Sequence, residues 1–182
     1  KNLKNSERPA LIFVHGFNVK YNEAVLRAAS IAYDLKYQGP IILFTWPSGS
    51  KDGFFEEKLL NKTYNNNLAN AHQSIEIFKN FLLKLQENGI EINLMVHSMG
   101  HQLVLPALVK INQINPNKIL INHLILNAPD FDVVEFKNLT KNLKQISQNT
   151  TLYCSYNDKA MLASKTFNNN ERLGACTFSE NF

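Results

Sequence analysis

Short apolar runs recur along this chain and predict five strands. They lie at residues 10–14, 41–46, 92–96, 123–127 and 151–155. Continuous runs of this length are typical of strands buried on both faces of a sheet.

Helical periodicity fills the connections between these runs. Apolar residues at spacings of three and four extend over residues 25–35, and Asn22 can cap the start of that helix. Residues 68–85 predict a longer amphipathic helix, and residues 103–111 predict another. Strands that alternate with helices predict an α/β fold with a mostly parallel sheet and helices on both faces.

Residues 49–67 form a polar and irregular connection between the second strand and the long helix. Connections of this kind commonly take ~2–6 residues, and longer ones are often functional lids. Phe54 and Phe55 lie within it, together with Leu59 and Leu60. Two hypotheses follow: the segment covers a site and presents apolar side chains to an acyl group, or it simply packs onto the domain.

Composition indicates one globular domain over residues 1–182, with 45% apolar and 19% charged residues. The net charge of +4 is spread along the chain without a basic run, so no nucleic-acid partner is expected. Cys154 and Cys176 do not form a metal signature, and no metal or cofactor is expected. A bridge between them is an option, but two ordinary thiols are the favoured interpretation.

The chain begins at Lys1 without a methionine and enters a strand within a few residues. We therefore interpret it as a single-domain fragment, truncated at both ends. It carries no secretory leader and no apolar run near the ~18 residues of a membrane span. The expectation is a soluble protein, either cytoplasmic or, if a leader precedes Lys1, exported.

Reactive and small residue types follow each predicted strand, where parallel sheets bind ligands. Ser98 stands between the third strand and a helix, the context of a nucleophile elbow. The tight turn demands small neighbours two residues away; Gly100 complies, whereas Val96 is bulky. The alternative is a serine that only caps the helix.

A second loop supports the elbow. His15 and Gly16 follow the first strand, and this loop supplies one backbone N–H of the oxyanion hole in such folds. The residue after the nucleophile supplies the other. The predicted donors are therefore the N–H groups of Phe17 and Met99.

The motifs at residues 15–18, 46–48, 97–100 and 128–130, together with Asp158, resemble those of the bacterial α/β-hydrolase family of unknown function, classed loosely with esterases and lipases. The resemblance spans about residues 9–174. It implies an α/β-hydrolase fold with Ser98 as nucleophile and Asp158 as the acid of a triad. Asp130, after the fourth strand, is the alternative acid.

The sequence also departs from that family. Val96 replaces the usual alanine, His101 replaces the usual asparagine, and Pro106 should kink the helix that follows the nucleophile. No histidine follows Asp158, although the family places its catalytic histidine after the last strand.

The five histidines offer no convincing base. His15 is expected to shape the oxyanion loop, His97 to point away from Ser98, and His101 at most to line the pocket. His72 and His123 lie away from the predicted site. The predicted substrate-binding residues are His15, Gly16, Trp46, Phe54 and Phe55.

The predicted function is a serine hydrolase that cleaves a carboxylic ester or related acyl bond through an acyl-enzyme on Ser98. Its substrate would be a small ester or a lipid-like molecule, and no membrane-spanning segment is expected. Two alternatives remain: an inactive binding protein with the same fold, and an acyltransferase that shares the nucleophile.

Overall fold

The computed structural model describes Leu3, residues 6–49 and residues 57–177, with the backbone alone at residues 57–59. Its five strands are β1 (Ala10–Val14), β2 (Ile41–Phe44), β3 (Ile92–His97), β4 (Ile121–Asn127) and β5 (Ser147–Tyr153). They lie side by side in the order β2-β1-β3-β4-β5, and every neighbouring pair is parallel. The predicted parallel sheet is confirmed.

In the described part of the chain, six helices accompany the sheet: α1 (Tyr21–Asp34), α2 (Glu57–Gln73), α3 (Ile75–Glu87), α4 (His101–Ile114), α5 (Val133–Ile146) and α6 (Lys159–Asn168). The chain steps from β1 outward to β2, then returns past β1 to β3 and continues to β5. Right-handed crossovers therefore place α1 on one face and α2 to α5 on the other. Helices on both faces were predicted. None of the helices that the structure describes is long and apolar enough to cross a bilayer.

The core lies mainly between the sheet and α2 to α5. All five residues of β1 are buried, as expected of a central strand with neighbours on both sides. In β3, Ile92, Leu94 and Val96 are buried, whereas the alternate residues Asn93 and Met95 are partly exposed. One face of β3 thus packs against helices while the other remains partly open in the part of the chain that the structure describes.

The prediction of an irregular segment over residues 49–67 was wrong from Glu57 onward, because α2 begins there. The segment is rich in asparagine, which has low helix propensity and hides the helical pattern. Buried Thr63, Tyr64 and Asn67 hold this part of the helix against the domain. Phe54 and Phe55 lie outside the described residues, so the lid hypothesis stays a prediction.

The long helix predicted over residues 68–85 is divided in two. α2 ends at Gln73 and α3 begins at Ile75, with Ser74 between them donating a hydrogen bond of 2.8 Å to the Asn70 carbonyl. α4, in contrast, continues through Pro106 without interruption. Proline thus removes one donor here without ending the helix.

The carboxyl-terminal third was predicted least well. α5 and α6 were not predicted, and β5 begins at Ser147, before the predicted start at Thr151. Most of β5 is exposed at the edge of the sheet, as its polar residues at positions 148–151 require. An edge strand of this kind carries no apolar run, so periodicity alone points to the wrong residues.

Cys154 and Cys176 form a disulfide, with their Cα atoms 5.4 Å apart. The favoured interpretation of two ordinary thiols was therefore wrong. The bridge links the end of β5 to a short 3-10 turn at Leu173–Ala175, and Ser155 N–H also donates to the Gly174 carbonyl at 3.0 Å. A separation of 22 residues gave no signal of this pairing, which depends on tertiary structure.

Candidate active site

Ser98 lies at a sharp strand-to-helix turn. β3 ends at His97, a 3-10 turn covers Ser98–Gly100, and α4 begins at His101. Ser98 has φ = +50°, in the left-handed region that non-glycine residues rarely adopt. Such strain at one serine between a buried strand and a helix is the geometry of a nucleophile elbow.

Two glycines allow the loop after β1 to touch this turn. A Cβ atom on Gly16 would lie 2.8 Å from the Ser98 Cβ, and one on Gly100 would lie 2.7 Å from the His15 carbonyl oxygen. Both distances are too short for a real side chain. Val96, which is bulkier than the small residue expected two positions before the serine, is fully buried in register with Val14 on the neighbouring strand. The core therefore accommodates its bulk.

One predicted oxyanion donor adjoins Ser98 in the chain, and the other lies in the loop that contacts Ser98. Met99 follows Ser98 directly, at the amino end of the 3-10 turn and α4. Phe17 follows Gly16, whose backbone lies against Ser98, and its ring packs on Tyr64 with centroids 5.8 Å apart. The positions suit the predicted role, and the role itself stays a prediction.

His15 is a buried part of this loop. Its ring stacks on Trp46, with centroids 5.5 Å and planes 6° apart. The Trp46 backbone N–H donates to Nε2 at 3.3 Å, so Nδ1 carries the proton and can donate to the Gly16 carbonyl and to Ser48 Oγ. Burial lowers the pKa of His15 and keeps the ring neutral. These bonds agree with a loop-shaping role.

A cavity of about 500 Å³ lies at the ends of β1 and β2. His15 and Trp46 line it, together with Lys20 and Tyr21 from the start of α1. The Trp46 indole N–H donates to the His15 carbonyl at 2.9 Å and fixes this wall. Substrate binding by His15, Gly16 and Trp46 is not tested by these contacts and stays a prediction.

Asp158 follows β5 and caps α6. Its Oδ1 accepts the backbone N–H groups of Ala160 at 2.9 Å and Met161 at 3.2 Å. Both bonds end on the same oxygen, and no hydrogen bond within the described part of the chain reaches Oδ2. Ser98 follows β3, and β4 lies between β3 and β5, so the strands that precede the two residues are about 10 Å apart at ordinary strand spacing.

Asp130, the alternative acid, is buried and fully engaged. Oδ1 accepts Arg172 Nε at 2.8 Å and Ser164 Oγ at 2.5 Å, and Oδ2 accepts the Tyr64 hydroxyl at 3.0 Å. Both charged side chains are only 3% exposed. The carboxylate is thus the centre of a structural network.

This network joins distant parts of the chain. Tyr64 belongs to α2, Ser164 to α6, and Arg172 to a segment that pairs with Asp132 in an isolated antiparallel bridge. Burial, and then the negative charge of Asp130, raise the pKa of Tyr64, so the hydroxyl remains a donor. Sequence reasoning missed this network because its members lie up to 108 residues apart.

The other histidines are not placed to take a proton from Ser98. His101 is fully buried, and its Nδ1 lies 2.7 Å from the Ser98 carbonyl oxygen. The expectation that His101 lines the pocket was therefore wrong. His72 is exposed on α2, and His123 is exposed near the amino end of β4.

His97 lies beside the turn. Its Nδ1 is buried without a hydrogen-bond partner in the described structure, and a Cβ on Gly16 would come within 3.0 Å of it. Burial lowers the pKa of His97, and the charge of Asp158 opposes that shift in part. The ring is thus neutral and packed next to the loop after β1.

The strand order, the strained serine and the two loops describe an α/β-hydrolase architecture. The family described as alpha/beta hydrolase of unknown function (DUF900) matches residues 1–181. The chain belongs to this family. A comparison with curated proteins found no match.

Two solved structures are similar to this family member. Phospholipase PlaB from Legionella pneumophila is 22% identical, with a TM-score of 0.30 over 66% of this chain and 25% of its own. The same phospholipase in complex with thio-NAD is 14% identical, with a TM-score of 0.41 over 91% of this chain and 43% of its own. The family member thus spans less than half the length of the phospholipase in both comparisons.

Arg172→Met should destabilise the protein by about 3–5 kcal/mol, because it leaves the Asp130 carboxylate buried without its cation. Denaturant unfolding measures this loss. Lys165→Met is the matched control: Lys165 pairs with Glu171, both are about half exposed, and such pairs are worth about 0–1 kcal/mol. Equal effects of the two substitutions would contradict the structural role of the buried pair.

Acid should destabilise the fold below the ordinary histidine pKa of 6.5. Burial lowers the pKa of His101 to about 3 and also lowers those of His15 and His97. The unfolded chain therefore binds protons that the folded chain does not, and stability is lost as the pH falls from 6.5 towards 3. Each ring contributes up to about 1.4 kcal/mol per pH unit.

Urea unfolding at a series of pH values from neutral to mildly acidic measures this slope. Asparagine does not titrate. His101→Asn should therefore reduce the slope of the unfolding free energy against pH by about the contribution of one histidine ring. An unchanged slope would show that His101 is protonated in the folded state.

Proposed function

We propose that this chain is the nucleophile-bearing part of a serine hydrolase that cleaves a carboxylic ester or a related acyl bond. The observation that carries the proposal is the left-handed conformation of Ser98 between β3 and α4. A serine that merely caps a helix has an extended backbone and needs no such strain. Membership of the hydrolase family supports the same chemistry.

In the proposed reaction Ser98 Oγ attacks the acyl carbon and its proton passes to an imidazole. The carbonyl electron pair moves onto the oxygen, where the N–H groups of Phe17 and Met99 stabilise the charge. As this intermediate collapses, the imidazolium returns the proton to the leaving oxygen, and the alcohol departs. This leaves an acyl-enzyme, which water then hydrolyses with the imidazole again as base.

We assign the imidazole to a histidine outside this chain. His15 and His101 are buried in other contacts, and His72 and His123 are exposed on α2 and near the amino end of β4. His97 directly precedes Ser98, and an elbow of this kind turns that side chain away from the nucleophile.

Asp158 is the proposed acid that orients the imidazole. Its Oδ1 is held by two N–H groups of α6, which fixes the carboxylate, and Oδ2 can accept the imidazole N–H. Asp130 accepts hydrogen bonds on both oxygens and is 2% exposed, so its carboxylate is committed to contacts within the fold. The proposed substrate is a small ester, lipid-like if Phe54 and Phe55 contact its acyl group.

Ser98→Ala should abolish covalent labelling of the full-length protein by a fluorophosphonate probe. The methyl side chain cannot attack phosphorus, and the fold should remain because the hydroxyl is not part of the core. Gel fluorescence measures the labelling, and circular dichroism checks the fold. Labelling that persists in a folded Ser98→Ala variant would assign the nucleophile to another residue.

Asp158→Asn should lower kcat on p-nitrophenyl esters of graded chain length by roughly 100-fold or more, because the imidazole loses the carboxylate that fixes its tautomer and stabilises its charge. Asparagine caps a helix about as well as aspartate, so the melting temperature should change little. Asp132→Asn is the matched control, since Asp132 caps α5 through a 2.7 Å bond to Glu135 N–H. Similar activity in both variants would exclude Asp158 as the acid.

A further inference from the structure

The carbonyl oxygen of Ser98 is held by several donors behind the elbow. His101 Nδ1 lies 2.7 Å from it, and the Asp130 backbone N–H lies 3.3 Å from it. The backbone N–H of His101 also points to this oxygen, as part of the 3-10 turn. The imidazole contact is shorter than the Asp130 contact, and it comes from a side chain.

The tautomer of His101 follows from this contact. A carbonyl oxygen has no proton to give, so Nδ1 must carry the proton and Nε2 must be a bare acceptor. Nε2 is buried without a partner in the described part of the chain. Burial also lowers the pKa of this ring to about 3, so it stays neutral where the protein is folded.

An apolar side chain would fill the same space without leaving a buried nitrogen unpaired. What the imidazole adds is one directional hydrogen bond to one peptide group. That peptide joins Ser98 to Met99. In a planar trans peptide the C=O and the N–H point in opposite directions, so fixing the Ser98 oxygen also fixes the direction of the Met99 N–H.

We propose that His101 is a positioning residue, whose Nδ1–H anchors the Ser98 carbonyl and thereby aims the Met99 N–H at the oxyanion. This inference rests on the proposed function for its catalytic consequence. The anchoring itself is a structural property that can be measured without turnover. His101 acts only through the peptide and does not contact the substrate.

Two substitutions separate the hydrogen bond from the packing. His101→Leu fills the buried space but has no donor. His101→Asn leaves a smaller side chain, but its amide N–H can occupy the place of Nδ1–H. On packing grounds Leu should be the more stable variant, because it fills more of the site and removes the unpaired nitrogen. On positioning grounds Asn should be the more active one.

The first experiment uses nuclear magnetic resonance to follow the backbone amide signal of Met99. The full-length protein carries a nitrogen isotope label on its methionines. The Met99 signal is assigned by its loss in Met99→Leu. His101→Leu should shift or broaden this signal, because the peptide loses its anchor, whereas His101→Asn should keep it near the wild-type position. An unchanged Met99 signal in His101→Leu overturns the proposal, whether or not the protein is an active hydrolase.

The second experiment compares turnover of p-nitrophenyl esters. His101→Leu should lower kcat by about 10- to 100-fold, the scale of a misaligned catalytic group, with little change in KM. His101→Asn should retain most of the wild-type kcat despite its lower melting temperature. If His101→Leu has a higher kcat than His101→Asn, in the same order as their melting temperatures, the positioning role is overturned. An inactive wild type with the expected Met99 shifts rejects the proposed function and keeps the anchoring.

Discussion

The left-handed turn at Ser98 is the constraint on which the rest of the site depends. A non-glycine residue in this conformation is strained by about 1–3 kcal/mol and persists only where its surroundings leave no alternative. Here the surroundings are two backbone contacts that only glycine permits, at Gly16 and Gly100, and the hydrogen bonds to the Ser98 carbonyl. The loop after β1 therefore cannot move away without releasing the turn.

The Asp130 network supports the same turn from the other side. Its backbone N–H reaches the Ser98 carbonyl, and its own carbonyl accepts Gln102 Nε2 from the first turn of α4 at 2.6 Å. The carboxylate is meanwhile fixed by Arg172 and by side chains of α2 and α6. A buried ion pair contributes little net stability, but breaking it is costly. The network thus ties the residue behind the elbow to the outer helices.

The parts of the molecule that the sequence predicted well are those determined by residues close together in the chain. β1 was predicted with its observed bounds because all five residues are apolar and buried. The tight strand-to-helix turn at Ser98 was predicted because its strand, its helix and Gly100 are neighbours in the chain. The helical part of residues 57–67 was missed because contacts of Tyr64 with residues far along the chain, rather than propensity, hold it. Asp130 and Asp158 each follow a strand, and local sequence does not tell the buried structural aspartate from the partly exposed one that caps α6. The difference is made by Arg172, 42 residues after Asp130. The disulfide between the two cysteines escaped prediction for the same reason, since tertiary structure alone brings its ends together.

The different roles proposed for these two carboxylates also have a physical basis. A carboxylate that orients an imidazole must be held in place and must keep one oxygen able to accept a proton. A helix amino end meets both needs, because its N–H groups bind one oxygen and leave the other able to accept. Asp158 has this arrangement on Oδ1 alone. Both carboxylate oxygens of Asp130 accept hydrogen bonds within the fold. Asp130 therefore supports Ser98 through its backbone N–H, which donates to the Ser98 carbonyl.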